Sequence, residues 1–560
     1  MKYGYLIFII FLFLLNKIYS NEIKIRRSIQ IIHADLIQNN IHNQAFVLTG
    51  NVHLKYDEYH LFCDKIIYYK INNKFYGYGN VRLVSIKNKI ISQNIVGNIF
   101  DFQLSGKVVL YQKKIKLTAD IIHYNFKKKS IQAINNVILF FNKIKLTTNI
   151  LEYNLILNQI FYNKKSIIHY RDYTICSEEG FFYIKKKKIE LKHKIKLISK
   201  IYTVYANTLE YLFEQDKIHF HNTVIIVQNT NFDNFIYAKK AQFLVKKSFF
   251  LFKNYVSIHY NGQIVKGEYL FFDYKKKHGF IKNILLEYSN KKYFLMSGYG
   301  KFDLNFGFLI LKKNPKIIQI SKNDSIFICS NILKIKIGKN YKYSIQAYSV
   351  NVKCFFLNET IQGKCEYFNF DSSNDYMQFN GNPIFWFQNK QITGKIIYIH
   401  FRKKNNNLLK CIKIFQNASY IEKINSKEFN HIEGDIMTGF FNEENDLEKV
   451  MIEGNINSII FIYPDQEKKI IHKLSCNTLS IYLDKSKKIR KFSYAKEVRS
   501  ELIPIHKETP NEFLYLSKFS WKKIDKPKEN KKSFVFKEIN KYEKESLLEK
   551  KQITTMIKNK

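Results

Sequence analysis

The chain has 560 residues, 46% of them hydrophobic and 16% aromatic, with 48 Phe, 39 Tyr and 6 Pro. That supply of apolar side chains suffices for a large core, leans toward strands and excludes collagen-like or proline-rich disordered architecture. The formal net charge of +44 invites a nucleic-acid reading, but the lysines run the whole length of the chain among Ile, Asn and Tyr, and an exported basic protein meets anionic lipid or glycolipid phosphates instead.

In chain order, residues 1–20 read as a secretory signal peptide. Lys2 supplies the positive start, Tyr5 to Leu15 form an apolar run, and Ser20 offers a small residue for cleavage. The run is short for a spanning helix, so the expectation is export to the periplasm, with association to the inner face of the outer membrane.

A repeat follows. Apolar-alternating segments centre on Val52, Val81, Val108, Val137, Ile167, Ile195, Val224, Val256 and Ile284, a spacing of roughly 29 residues typical of supersecondary units. The first copies read GNVHLKY, GNVRLVS, GKVVLYQ and NNVILFF; a second block, such as CDKIIYY, ADIIHYN and TNILEYN, comes about 12 residues later. Each unit therefore holds about two strands. Alternation puts Val52 and Leu54 on one face and His53 and Lys55 on the other, and Gly-Asn before the strand is expected to form a tight turn. Stacked units bury one continuous apolar face.

The second half repeats this grammar in GNPIFWFQNKQITGKIIYI and VMIEGNINSIIFIYP, with a seam near residue 320. Beyond Trp521 the composition turns to Lys, Glu and Asn, which suggests a solvated tail, disordered or with a short helix near Lys541 to Lys551. The domain reading is thus 1–20 signal peptide, 21–320 and 321–527 β regions, and 528–560 charged tail.

The G-N-V-x-L and A-D-x-I-x-Y blocks, with NPIFWFQNKQITG, EGNINSIIF, LSCNTLSI and FLYLSKFSWKKIDKP, resemble the OstA-like family, which includes LptA-like lipopolysaccharide carriers, and in particular its long Bacteroidetes-type members. Lys395 departs from the pattern, standing where an acidic residue is expected. The resemblance implies an all-β fold, a repetitive β-jellyroll built as an open, twisted, V-shaped antiparallel sheet. It implies acyl chains of lipopolysaccharide (lipid A) held inside that sheet, for carriage or bridging from inner to outer membrane during outer-membrane biogenesis. Partners would be inner- and outer-membrane transport components docked at sheet edges, with head-to-tail self-association as a further use of those edges. The alternatives are an outer-membrane β-barrel component and a non-lipid structural solenoid or adhesin.

Groove candidates are Val52, Leu54, Val81, Leu83, Val108, Leu110, Val137 and Leu139, set against ordinary core; rim candidates for lipid phosphates are Lys55, Arg82 and Lys107. No enzyme, cofactor or metal is expected. The SGYG at Ser297 to Gly300 lacks a hydrolase context, His219 and His221 lack a third ligand, and Asp64 and Asp120 recur at equivalent positions, which suits a structural role. Seven scattered cysteines set no disulfide framework, Cys354 with Cys365 being the one pair considered.

Overall fold

The computed structural model describes residues 29–522, apart from 41, 43, 99, 261, 289–292, 321–324, 338–341, 357–358, 403–404, 465–468, 485–488 and 506–509, together with residues 544–556. The signal-peptide expectation lies outside the described residues. The chain forms two compact units, one ending at Lys200 and one beginning at Ile201. Both are built from antiparallel strands.

In the first unit the strands come as hairpins: Ala45–Tyr56 with Tyr59–Tyr69, Lys74–Val84 with Lys89–Gly97, Asp101–Gln112 with Ile115–Asn125, and Ser130–Phe141 with Ile144–Asn154. Each hairpin also pairs with the next. The two-strand repeat is therefore real, and its apolar period sets the strand boundaries.

Gly-Asn does not make the expected turn. Gly50 and Asn51 sit in the middle of Ala45–Tyr56, with φ of 75° and 45°, where the ladder slips between Thr49 and Val52. The same left-handed pair recurs at Gly79–Asn80, Gly106–Lys107 and Asn135–Asn136. Two consecutive residues with positive φ insert a bulge, and a bulge bends its strand. Each hairpin thus has a near arm, which holds the start of its first strand and the end of its second, and a far arm on the other side of the bulge. The tight turns lie elsewhere, at Asp57-Glu58, Lys113-Lys114 and Asn142-Lys143, each with its first residue left-handed.

The two arms face each other. The hydroxyl of Tyr153, on a near arm, donates to Gln112 Oε1 on a far arm at 2.5 Å. Tyr59 and Tyr124 approach in the same way, hydroxyl to hydroxyl at 3.2 Å, and the Tyr124 ring stacks on Phe102. Between the bulges and these distal contacts lies a continuous apolar interior.

The second unit uses the same device over longer strands. Phe249–Tyr260 pairs with Gln263–Asp273 around a slip between Lys253 and Val256. Asn405–Lys423, Phe429–Phe441, Leu447–Ile462 and Ile470–Leu483 follow, with bulges at Gln416–Asn417 and Gly454–Asn455. Elsewhere the interruption widens and splits a strand, as between Lys217–Phe220 and Val224–Gln228. Among the described residues no ladder joins the first strand of either unit to its last.

Two segments cover the second unit. The short helix Asn511–Leu514 leads into a strap reaching Lys522. The Trp386 indole donates to the Lys522 carbonyl at 3.0 Å, and Gln391 donates to the Ser520 carbonyl and accepts from the Lys522 amide, both at 2.8 Å. The expected acid-to-Lys departure at Lys395 has a backbone answer: its amide donates to the carbonyls of Phe415 and Gln416 at the facing bulge. The second segment is a helix over residues 544–556. It is docked rather than solvated.

Candidate functional site

The interior of the first unit is lined as the alternation requires. Val52, Val81, Val108, Leu110, Val137 and Leu139 are buried, Leu83 is 6% exposed, and Leu54, in the first full hairpin, is half-buried. Cross-strand register sets Val108 opposite Ala119 and Leu110 opposite Leu117, so the inward row runs across neighbouring strands. Opposite it the near arms present Leu48, Leu104, Ile122, Ala133 and Leu151, also buried. The result is an apolar space of branched side chains between two arms.

The three basic candidates are placed differently. Lys55 and Arg82 lie on the face opposite the valines, and the Arg82 guanidinium sits over the Phe62 ring at 5.3 Å. Lys107 is the second residue of its bulge, with φ of 49°, and so marks the bend of the strand. Lys55 precedes Tyr56 at the distal end, where the Tyr56 and Tyr59 rings pack edge-on against Phe126. Burial raises the Tyr124 hydroxyl pKa, and that of Tyr153 is pushed up to about 12, so both hydroxyls stay protonated.

What holds the bend is a carboxylate. Asn80 Nδ2 donates to both oxygens of Asp64 at 2.9 and 3.3 Å, Asn51 to Asp35 at 3.1 Å, Asn136 to Asp120 at 2.7 Å, and Asn455 to Asp435 at 2.8 Å. For Asp64, Asp120 and Asp435 the acid lies on one strand and the amide on the bulge of the strand that follows it. A Cβ on Gly79 would lie 2.2 Å from the Asp64 carboxylate, so glycine there serves both φ and space. Asp64 and Asp120 are thus structural.

Other candidates resolve likewise. Ser297, on the strand Tyr293–Asp303, donates to the Lys312 carbonyl of the neighbouring strand Phe308–Lys312 at 2.5 Å. His219 and His221 stack, as their shared face predicts, and His221 Nε2 is 2.9 Å from Glu210. Among the described residues no three His, Cys, Asp or Glu side chains are grouped to hold a metal ion. Cys365 is a free, buried thiol whose pKa burial pushes up to about 12; it pairs across the ladder with Val350, while Cys354 pairs with Ile361, so the considered disulfide is not formed.

A surface that sequence reasoning missed lies on the outer face of the second unit. Tyr205, Ile225, Val227, Tyr237, Tyr255, Leu285, Phe294, Met296, Ile318 and Phe327 form one buried cluster, with Ile553 and Met556 of the C-terminal helix packed on it. Glu549 is 2% exposed; it accepts from Tyr255 at 2.9 Å and contacts His259 Nε2 at 2.8 Å. Gln552 accepts from Thr223 at 3.1 Å and from the Tyr237 hydroxyl, and Lys239 pairs with Glu545 at 2.8 Å. A signal for this was present: Val224 to Val227 is apolar without alternation, the mark of a strand buried on both faces.

The bulged repeat, its acid–amide lock and the apolar interior coincide with a family model. The model for OstA-like protein matches residues 26–131 and again 97–207. Over this region, residues 26–207, the chain is similar to OstA-like proteins. The overlap of the two matches follows from the repeat, since either register of hairpins fits the same pattern. OstA-like proteins form a family related to lipopolysaccharide transport, and the OstA-like region contains the whole row from Val52 to Leu139. No curated protein matches the chain.

Proposed function

We propose that the chain is exported to the periplasm and binds lipopolysaccharide through the acyl chains of lipid A, helping to carry or bridge it from inner to outer membrane. The observation that carries this reading is the inward row Val52, Val81, Leu83, Val108, Leu110, Val137 and Leu139, enclosed between two arms of an OstA-like region. Burying an acyl methylene stabilises a bound lipid by roughly 0.8 kcal/mol, so such an interior needs no reactive group. Acyl chains enter as the distal contacts of Tyr153 with Gln112 and of Tyr59 with Tyr124 part, and the lipid phosphates meet lysines such as Lys55 near that end. The partners are membrane transport components that add to sheet edges through unpaired main-chain groups. The chain acts as a binding protein and not as an enzyme.

The test places a photo-crosslinking residue at the half-buried Leu54, with exposed Lys116 as the control, and adds lipopolysaccharide. An adduct at Leu54 and not at Lys116, displaced by lipid A, is the expected result. A folded β-protein without an adduct at Leu54 would instead be a structural solenoid.

A further inference from the structure

The C-terminal helix meets the outer face of the second unit with one side only. With 3.6 residues per turn, Glu545, Glu549, Gln552, Ile553 and Met556 share the sheet side, and each has a contact there. The opposite side carries Lys544, Leu547, Lys551 and Thr554, flanked by Leu548 and Lys550. Leu547 and Leu548 are 69% and 53% exposed.

Docking therefore segregates charge. Both acids of the described helix are turned inward, to Lys239 and to Tyr255 and His259, while all three lysines are exposed. We infer that this outward side rests on an anionic bilayer surface. Its leucines enter the boundary between headgroups and acyl chains and its lysines pair with lipid phosphates, the arrangement by which an amphipathic helix lies in an interface. A protein partner fits less well, because lysine is depleted at the centre of protein interfaces. The chain's net charge of +44 draws the whole molecule toward the same surface. The contact does not depend on lipopolysaccharide binding in the OstA-like region, so either can fail alone.

A photo-crosslinking residue at Leu547 in the full chain tests this, with vesicles of phosphatidylethanolamine and phosphatidylglycerol set against pure phosphatidylcholine. Exposed Lys276 and sheet-facing Ile553 serve as further probe positions. The expected result is a several-fold excess of lipid adduct at Leu547 on the anionic vesicles. That excess is lost in the K544E/K551E variant, lipid adduct is low at Lys276, and adduct at Ile553 is confined to the chain itself. Equal yields on both vesicle types, a protein adduct in place of lipid at Leu547, or lipid adduct at Ile553 as strong as at Leu547 would each overturn the inference.

Discussion

The far arms of the two units share a backbone plan and differ on their outer faces. In the first unit the outward positions next to the valines are Arg82, Val109 and Ile138, open or half-open to solvent. In the second, the corresponding row runs through Tyr205, Ile225, Tyr237, Ser257, Lys266 and Leu285, all buried. Even the Lys266 ammonium is enclosed there, 3.4 Å from Glu287. One plan thus serves as a two-layer shell in one unit and as a middle layer in the other. The inner valines decide the plan, and the outer residues decide what covers it.

The sharpest way to break the comparison is a charge on each outer face. Ile225→Asp, at a fully buried site, is expected to cost roughly 3–5 kcal/mol, against about 1 kcal/mol or less for Val109→Asp. Hydrogen exchange resolved along the chain reads the two units separately; equal losses would show that the faces do not differ. Next come the bulges, where the units should agree. Gly79→Ala and Gly454→Ala force a side chain into a left-handed backbone and against Asp64 or Asp435, and each should cost about 2–3 kcal/mol. A harmless Gly454→Ala would mean that the second unit holds its bend by other means.

A third difference shows in acid. Burial holds the His431 imidazole neutral, its pKa pushed down to about 4 from 6.5. The unfolded chain then binds the extra proton, so this contribution is full above about pH 6.5 and is lost as pH falls toward about 4. Acid titration of His431→Phe should remove about 3 kcal/mol of that dependence, confined to exchange near Ser419 and Phe519, which flank the ring. Smaller still, Glu549→Ala removes the carboxylate that Tyr255 and His259 contact and should weaken helix docking by about 1–2 kcal/mol. Limited proteolysis would then release residues 544–556 while the first unit stays protected; unchanged cleavage would mean that Glu549 does not anchor the helix. Tyr153→Phe removes one distal contact and should cost about 1 kcal/mol or less. It should also raise the initial rate of lipid adduct formation at Leu54; a slower rate would place entry elsewhere.

The period-two alternation made the repeat, the hairpins and the inward row from Val52 to Leu139 legible, because each depends only on neighbours in the chain. The bulge was half legible. Gly-Asn announces positive φ, but whether two such residues turn a chain or bend a strand depends on the partner strand, where Asp64 waits sixteen residues before Asn80. Helix docking was not legible from the tail itself. A Lys- and Glu-rich segment looks solvated until Glu549 is set beside Tyr255, nearly three hundred residues earlier. The doubly apolar Val224 to Val227 was a local sign that something covers that strand.

The acid–amide lock also governs how the array yields to force. Asp64 on one hairpin grips Asn80 on the next, and Asp120 grips Asn136, so each hairpin is fastened chiefly to its neighbour. Pulled from its ends, such a chain should peel hairpin by hairpin, each rupture releasing a similar length, rather than burst in one event. A molecule that stretches in steps can lose its outermost hairpins and keep the rest in register.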